Sequence, residues 1–212
     1  METMRSTKRI TTDHILPSGK TALVIIDMMN LFCDPKFLAN GTAQREQWFA
    51  SELEHVVGCI RGVLERFREA QAMVVHVVNA KWTRAAREAV PYQRGRDYGL
   101  FDTFEMSVIE PLEPTPGEIV IRKVTSSAFT GTGFDFLLNN ARIENVVLCG
   151  QYGDACVFYT LIQSRELGFT NYYVEDGLLF SDQASKDLFI PLVGSRWATL
   201  ATAKEIERAI RT

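Results

Sequence analysis

Short apolar runs rich in β-branched residues recur along the chain, and stretches with helical periodicity separate them. The runs cover residues 21–27, 72–80, 118–124, 145–150 and 170–177. Because both faces of each run are apolar, they are typical of buried strands in a parallel sheet. Helices are predicted over 45–70, 132–143 and 154–168. The alternation predicts right-handed crossovers and an α/β fold, a three-layer α/β/α sandwich around a mostly parallel, roughly six-stranded sheet.

The length and composition predict one domain. The chain has 212 residues, of which 46% are apolar, which is enough for a full core. Residues 1–20 are polar and are predicted to form an N-terminal arm over the body or over a partner subunit, and 21–212 form the single domain. The polar segment 81–117 is longer than an ordinary loop between a strand and a helix. Loops of this length are usually functional or cover the body of the domain.

Charge and cysteine usage exclude several classes of function. The net charge of −3 predicts no dominant basic face, so neither nucleic acid nor an anionic membrane is an expected partner. No apolar run approaches the ~18 residues of a membrane span, and the first twenty residues predict no signal peptide. None of the four cysteines forms a CxxC pair, which predicts free thiols in a reducing, cytoplasmic setting.

Three groups that can carry chemistry follow the predicted strands. Asp27 ends the first strand, Lys123 ends the third, and the loop 150–156 with Cys156 follows the fourth. In an open parallel sheet, ligands bind at the carboxyl ends of the strands. An aspartate, a lysine and a cysteine are therefore predicted to converge on one edge. Further groups predicted there are Asn79, Lys81, Trp82, Glu175 and Asp176.

The position of Cys156 indicates a nucleophile. Asp154, two residues before it, is a predicted N-cap, which places the thiol in the first turn of a helix. The helix dipole and a neighbouring lysine would favour a thiolate there. Asp27 could take the thiol proton and return it to a leaving group. A lone free cysteine is more often a buried small residue, and Asp27 with Lys123 could be a structural ion pair, but their convergence favours catalysis.

The remaining cysteines and the histidines predict no second catalytic or metal-binding site. Cys59 and Cys149 are predicted to lie in the core, and Cys33 is expected to pack there rather than to line a pocket. No histidine stands at a strand end, so neither a Cys–His dyad nor a metal site is predicted, and no cofactor is expected. The segment "TGTGF" lacks the spacing of a phosphate-binding loop.

Three segments resemble the isochorismatase-like, or cysteine hydrolase, superfamily. They are "ALVIIDMMNLF" with Asp27, "IVIRKVTSSAFTGTGFDFLL" with Lys123, and "NVVLCGQYGDACVFYTLIQSRELGF" with Cys156. They occur in the expected order from about residue 21 to about residue 205, and the third is the most specific. The resemblance implies an Asp27–Lys123–Cys156 catalytic triad and a homo-oligomer, either a dimer or a tetramer.

Two comparisons within the superfamily narrow the expected reaction. Its isochorismatases lack the cysteine, so Cys156 implies hydrolysis of a C–N bond through a thioester. Its nicotinamidases carry an Asp-x-His…His metal set, where this chain has "NAKWTRAAREAVPYQRG", which implies the metal-free amidohydrolase branch. The expected substrate is a small amide, ureido or carbamoyl compound. Hydrolysis of a non-amide bond and an idle binding or scaffold protein stay open as alternatives.

The resemblance also implies roles for residues around the thiol. The Cys156 backbone N–H, with that of Tyr152 or Gly153, would hold an oxyanion, and the Gln151–Tyr152 peptide bond would be cis. Gln151 would either bind substrate or brace the loop. The candidate pocket walls are Phe32, Trp82, Phe129 and Tyr152, and core packing stays open as the alternative for all but Trp82, whose loop position favours the pocket. For an acidic substrate, the candidate arginines are Arg84, Arg87, Arg94, Arg96 and Arg196.

Overall fold

A computed structural model describes residues 6–34, 36, 43–94 and 98–212, with the backbone alone for 43–46. The strands are β1 (Leu16–Pro17), β2 (Thr21–Ile26), β3 (Met73–Asn79), β4 (Ile119–Lys123), β5 (Asn145–Gln151), β6 (Thr170–Leu179), β7 (Thr199–Ala201) and β8 (Ile210–Arg211). Six of them form one sheet in the order β4-β3-β2-β5-β6-β7, and every neighbouring pair in it is parallel.

Helices cover both faces of this sheet. They are α1 (Asn30–Cys33), α2 (Ala43–Glu69), α3 (Pro91–Arg94), α4 (Phe134–Asn140), α5 (Cys156–Glu166), α6 (Gln183–Arg196) and α7 (Ala203–Ala209). Apolar residues of α2 and α7 pack on one face, and those of α4, α5 and α6 pack on the other. The three-layer α/β/α sandwich with a six-stranded parallel sheet is therefore confirmed.

Strand β2 shows why its sequence is apolar throughout. Ala22, Val24 and Ile26 join the core under α4, α5 and α6, whereas Leu23 and Ile25 join the core under α2 and α7. Successive side chains of a strand point to opposite faces, and here each face is covered by helices. Every residue of β2 is buried as a result.

The last strands differ from the sequence prediction. The segment from 185 to 210 contains β7, which is only three residues long and joins the sheet at its edge. Strand β6 continues to Leu179 after a register shift opposite Leu148 and Gly150. Glu175 and Asp176 therefore lie inside β6 and not at its end. Glu175 forms an ion pair with Arg9, and Asp176 accepts the backbone N–H of Ala203.

The described part of the N-terminal arm lies on its own domain. The Lys8 N–H donates to the Gly194 carbonyl, and the Ile10 N–H donates to the Leu200 carbonyl at the edge formed by β7. Strand β1 pairs with β8 near the end of the chain. Over the described residues, no helix is both long and apolar enough to cross a membrane.

The strand order places a crevice between β2 and β5. After β2 the chain moves outward through β3 to β4, and then returns to place β5 on the other side of β2. Connections that leave neighbouring strands in opposite directions open a crevice at their carboxyl ends, where ligands bind in open α/β sheets. Asp27 and the loop after β5 both stand at this crevice.

Replacement of Gly150 by alanine is expected to reduce the free energy of unfolding by about 3 kcal/mol. Gly150 has a φ of 108°, and an added Cβ would lie 2.1 Å from the Ile26 carbonyl oxygen. Gly168→Ala is the matched control, because its φ is 94° but nothing lies within 4 Å of the added carbon. Urea unfolding followed by circular dichroism measures both. Equal losses would show that the close approach to β2 is not the cause.

Candidate active site

Asp27 is the first residue after β2, and the backbone holds it at the crevice. Its φ is 54°, its N–H donates to the Val77 carbonyl at 2.8 Å, and its carbonyl accepts the Gln151 side-chain amide at 2.8 Å. The side chain is 1% exposed. Burial of an ionised carboxyl is costly unless a counter-charge lies close by.

Lys123 supplies that counter-charge from the end of β4. Its ammonium donates to Asp27 Oδ2 at 2.7 Å, to the Thr125 carbonyl at 3.2 Å and to Cys156 Sγ at 3.4 Å. An ammonium has three N–H donors, so these three acceptors use all of them. The long side chain crosses the width of β3 to reach Asp27, and it is completely buried.

Cys156 is the first residue of α5, so the sequence placed it correctly in the first turn of the helix. The role predicted for Asp154 is wrong. The N-cap residue is Ala155, and the Asp154 carboxylate instead accepts the Ser181 backbone N–H at 3.2 Å. At the other end of the first turn, the Thr160 hydroxyl donates to the Cys156 carbonyl at 2.7 Å.

Burial sets the protonation state of the thiol. Desolvation first, and then the charge of Asp27, raise the pKa of Cys156 to about 12, because Lys123 only partly opposes them. The raised pKa opposes the resting thiolate that the sequence analysis expected, and favours the neutral thiol. Burial also raises the pKa of Asp27, against the opposing effect of Lys123. Burial lowers the pKa of Lys123, but the charges of Asp27 and Cys156 outweigh it and raise the pKa overall.

One oxygen of Asp27 is left for the thiol. Oδ2 accepts the Lys123 ammonium, whereas Oδ1 is buried and has no well-formed hydrogen bond to the described residues. The Cys156 thiol lies close enough for each group to affect the pKa of the other. A buried carboxylate oxygen whose only neighbouring donor among the described residues is a thiol is the arrangement that a general base requires.

The loop after β5 has the conformation that the resemblance implied, because the Gln151–Tyr152 peptide bond is cis. The Gly153 N–H donates to the Leu179 carbonyl at 2.7 Å, so it is not available for an oxyanion. Of the two donor pairs considered, this leaves Cys156 with Tyr152. Gln151 braces the loop, since its amide donates to the Asp27 carbonyl and to Cys33 Sγ.

A cavity of about 950 Å³ opens above the triad. Asp27, Gln151 and Cys156 form its floor. Its aromatic lining consists of Phe32, Tyr92, Tyr98, Tyr152, Phe158 and Tyr159. The structure thus places Phe32 and Tyr152 where the sequence analysis expected pocket walls.

The other two aromatic candidates do not line this cavity. Phe129 is buried in the core, where its ring stacks on Phe134 at 4.8 Å and on Phe169 at 6.1 Å between centroids. Trp82 is 57% exposed and lies at a separate depression of about 280 Å³. Both predictions of a substrate contact are corrected accordingly.

The arginine candidates also lie elsewhere. Arg84, Arg87, Arg94 and Arg196 are absent from the cavity lining, and the Arg94 guanidinium donates to the carbonyls of Ala89 and Arg87. Arg96 lies outside the described residues. Over the described parts of the chain, no three His, Cys, Asp or Glu side chains come together as a metal site.

Five cavity residues on α5 were missed by the sequence analysis, namely Phe158, Tyr159, Ile162, Gln163 and Glu166. Tyr159, Gln163 and Glu166 follow Cys156 at helical spacings of three and four, so they share its face of the helix. That periodicity was available in the sequence. Tyr92, in the irregular segment 81–117, offered no comparable signal.

Comparison with known proteins agrees with this geometry. The family model described as the isochorismatase domain matches residues 21–205. The chain is similar to ureidoacrylate amidohydrolase RutB of Azorhizobium caulinodans, with 25% identity over 74% of this chain and 75% of that protein. It is also similar to streptothricin hydrolase of Streptomyces noursei, with 33% identity over 55% of this chain but only 38% of the relative's length.

Solved structures give the same result. An isochorismatase family protein from Desulfovibrio vulgaris superposes with a TM-score of 0.77 at 25% identity, covering 89% of this chain and 96% of that one. N-carbamoylsarcosine amidase from Thermoplasma acidophilum superposes with a TM-score of 0.69 at 29% identity, covering 87% and 96%. The matched region contains the whole six-stranded sheet and all three residues of the triad. The chain therefore belongs to the isochorismatase family of hydrolases.

Proposed function

We propose that the protein is a cysteine hydrolase that cleaves a C–N bond of a small amide, ureido or carbamoyl compound through a thioester on Cys156. The observation that carries this proposal is the contact among the Cys156 thiol, the buried Asp27 carboxyl and the Lys123 ammonium, in which the second carboxyl oxygen of Asp27 is left for the thiol. Lys123 keeps that carboxyl ionised at 2.7 Å. A base, a nucleophile and a counter-charge are thus assembled at one crevice.

The proposed reaction has two halves. In the first, Asp27 takes the Cys156 proton while the sulfur attacks the carbonyl carbon, and the Cys156 backbone N–H with that of Tyr152 holds the oxyanion. The C–N bond then breaks, and Asp27 gives its proton to the departing ammonia or amine. In the second half, Asp27 activates a water, which cleaves the C–S bond. The acid leaves and the thiol is restored.

The names of the relatives support the proposal that the bond cleaved is a C–N bond. Ureidoacrylate amidohydrolase and N-carbamoylsarcosine amidase are named for the hydrolysis of C–N bonds in small molecules. Each matches this chain over about three quarters of its length or more. The substrate itself differs between these relatives, and it is set by the cavity.

Two experiments test the proposed function. A screen of small amides, ureas and carbamoyl acids, read by ammonia release, is expected to find turnover. Rapid acid quench during turnover of a hit, followed by mass spectrometry, is expected to find the acyl group on the peptide that contains Cys156. Turnover without any adduct on Cys156, even in the burst phase, would contradict the thioester.

The alternatives predict different results in the same experiments. A hydrolase of a vinyl ether or another non-amide bond would release no ammonia and would form no adduct. An idle binding or scaffold protein would bind ligands in the cavity without product. Neither alternative requires the polar arrangement of Asp27, Lys123 and Cys156, and for this reason amide hydrolysis is preferred.

Activity is expected to be independent of metal ions. The proposed steps use a carboxylate, an ammonium and a thiol, and none of them needs a Lewis acid. Dialysis against a strong chelator, followed by the ammonia assay, should leave the rate unchanged within error. A loss that zinc, iron or manganese restores would contradict this expectation. Metal content measured on the same sample identifies the ion in that case.

We also propose that the protein self-associates as a dimer or a tetramer. Large apolar side chains lie exposed on the helical layers, among them Phe136 at 70% and Leu188 at 62%. Burial of such groups between copies would be favourable. Multi-angle light scattering at micromolar concentration should give a mass of at least twice 23.9 kDa. A monomer mass at that concentration would refute the proposal.

A further inference from the structure

The cavity above Cys156 extends far beyond the triad, because it follows one face of α5 to the end of the helix. Cys156, Tyr159, Gln163 and Glu166 all line it. With a rise of 1.5 Å per residue, Glu166 lies ~15 Å along the helix axis from Cys156. A ligand whose carbonyl meets the thiol can therefore place a second group beside Glu166.

The ionisable side chains that line this cavity are acidic. None of its described lining residues is a lysine, an arginine or a histidine, and its two carboxyl groups belong to Asp27 and Glu166. Lys123 compensates Asp27 at 2.7 Å. The Glu166 side chain, by contrast, forms no hydrogen bond or ion pair with the described residues. Glu166 is exposed at this end of the cavity, so its negative charge can meet a ligand that reaches it.

The helix gives no structural reason for an acid at this position. Glu166 is the last residue of α5, where the helix dipole disfavours a negative charge. Two tyrosine rings of the lining, Tyr92 and Tyr159, are 56% and 57% exposed. The face of an aromatic ring attracts a cation. Tyr92 is also held in place, since its hydroxyl bonds the Ser126 hydroxyl at 2.7 Å.

We infer that the substrate carries an ammonium or guanidinium group at the end distal to the scissile C–N bond, and that Glu166 selects for it. This inference rests on the proposed function, because it takes Cys156 as the reacting end of the cavity. Substrates that end in a carboxylate would meet an uncompensated negative charge and are disfavoured.

Three matched electrophiles test the inference without knowledge of the substrate. They are N-decyl chloroacetamides that end in an amino, a hydroxyl or a carboxyl group. Cys156 sulfur displaces chloride: the C–S bond forms, the C–Cl bond breaks, chloride leaves, and the thiol proton passes through Asp27 to solvent. Peptide mass spectrometry over time gives the rate of labelling at Cys156 and, as an internal reference, at the half-buried Cys59.

The amino probe is expected to label Cys156 about fivefold faster than the hydroxyl probe, with the carboxyl probe slowest, an effect of the size that an exposed charge pair gives. High salt should reduce the difference. Glu166→Gln should remove the advantage of the amino probe over the hydroxyl probe. Glu54→Gln is the matched control, because Glu54 is an exposed carboxylate on α2, on the opposite face of the sheet. It should not change the labelling rate of any probe.

Other results would show whether the inference about charge or the assignment of Cys156 as the nucleophile is wrong. Equal rates, or fastest labelling by the carboxyl probe, would overturn the inference about charge while Cys156 stays a reactive nucleophile. If Arg96→Ala then abolishes the carboxyl preference, Arg96 binds an acidic substrate. Labelling at Cys59 but not at Cys156 by any probe would overturn the proposed nucleophile, and this inference with it.

Discussion

Replacement of Cys156 by alanine is expected to lower kcat by at least about 10³-fold, because without the sulfur no thioester forms and the other groups can only orient a water. The protein should still fold. Alanine is a good helix former, and Cys156 borders the cavity at the start of α5 rather than packing inside the core, so the loss of unfolding free energy should stay at or below ~1 kcal/mol. Ammonia release from a hit of the screen and thermal unfolding measure the two effects.

Two further variants make this result specific. Cys156→Ser should lose nearly all turnover as well, because Asp27 is too weak a base to activate a serine hydroxyl. Cys59→Ala should keep the wild-type rate, since Cys59 is a half-buried cysteine of α2 and does not line the cavity. A Cys156→Ala enzyme with the wild-type kcat on the same substrate would falsify the thioester mechanism.

The fold was predictable from the sequence where a strand is buried on both faces of the sheet, because such a strand is apolar throughout. Strands such as β2 are apolar throughout, because helices cover both sides of the sheet. Strand β7 has only three residues at an edge, which is too short for a run to stand out between α6 and α7. The register shift in β6 was equally hidden, since Glu175 and Asp176 resemble the end of a strand in the sequence.

The positions of the triad residues were predictable because parallel topology brings the carboxyl ends of strands to one edge. Asp27, Lys123 and Cys156 follow or end three different strands, and their side chains meet there. The protonation state of the thiol was not predictable. Helix dipole and lysine both favour a thiolate, but burial and the nearby charge of Asp27 outweigh them and raise the pKa of Cys156.

The aromatic residues that line the cavity were also only partly predictable from the sequence. Phe129 and Phe32 are both aromatic residues near the predicted edge, yet Phe129 stacks on Phe134 inside the core and Phe32 faces the cavity. Which side of a loop an aromatic ring takes depends on tertiary packing. Tyr159 lies on the same helix as Cys156, and there the periodicity alone would have identified a cavity residue.

Replacement of Lys123 by methionine is expected to reduce the free energy of unfolding by about 3–5 kcal/mol near pH 8, as well as to abolish turnover. Methionine preserves the length of the apolar stem but removes the ammonium that donates to Asp27 at 2.7 Å. The carboxylate would then be buried without a counter-charge. Urea unfolding of the wild type and the variant between pH 4 and pH 8 measures the effect.

The pH dependence of this loss has a definite sign. Burial raises the pKa of Asp27 above its ordinary value, and without Lys123 the pKa rises further. A group with a raised folded-state pKa contributes stability below its unfolded value, ~3.9, and loses it as the pH rises through the folded value. The deficit of Lys123→Met should therefore be small near pH 4 and grow toward pH 8.

A double variant separates the charge from the packing. Asp27→Asn with Lys123→Met removes both charges, and asparagine tolerates the φ of 54° at this position better than most residues do. Most of the lost stability at pH 8 should return, since a neutral pair needs no counter-charge. Turnover should stay absent, because the general base is gone. A deficit in Lys123→Met that is equal at pH 4 and pH 8, and that persists in the double variant, would mean that Lys123 acts by filling space rather than by holding Asp27 ionised.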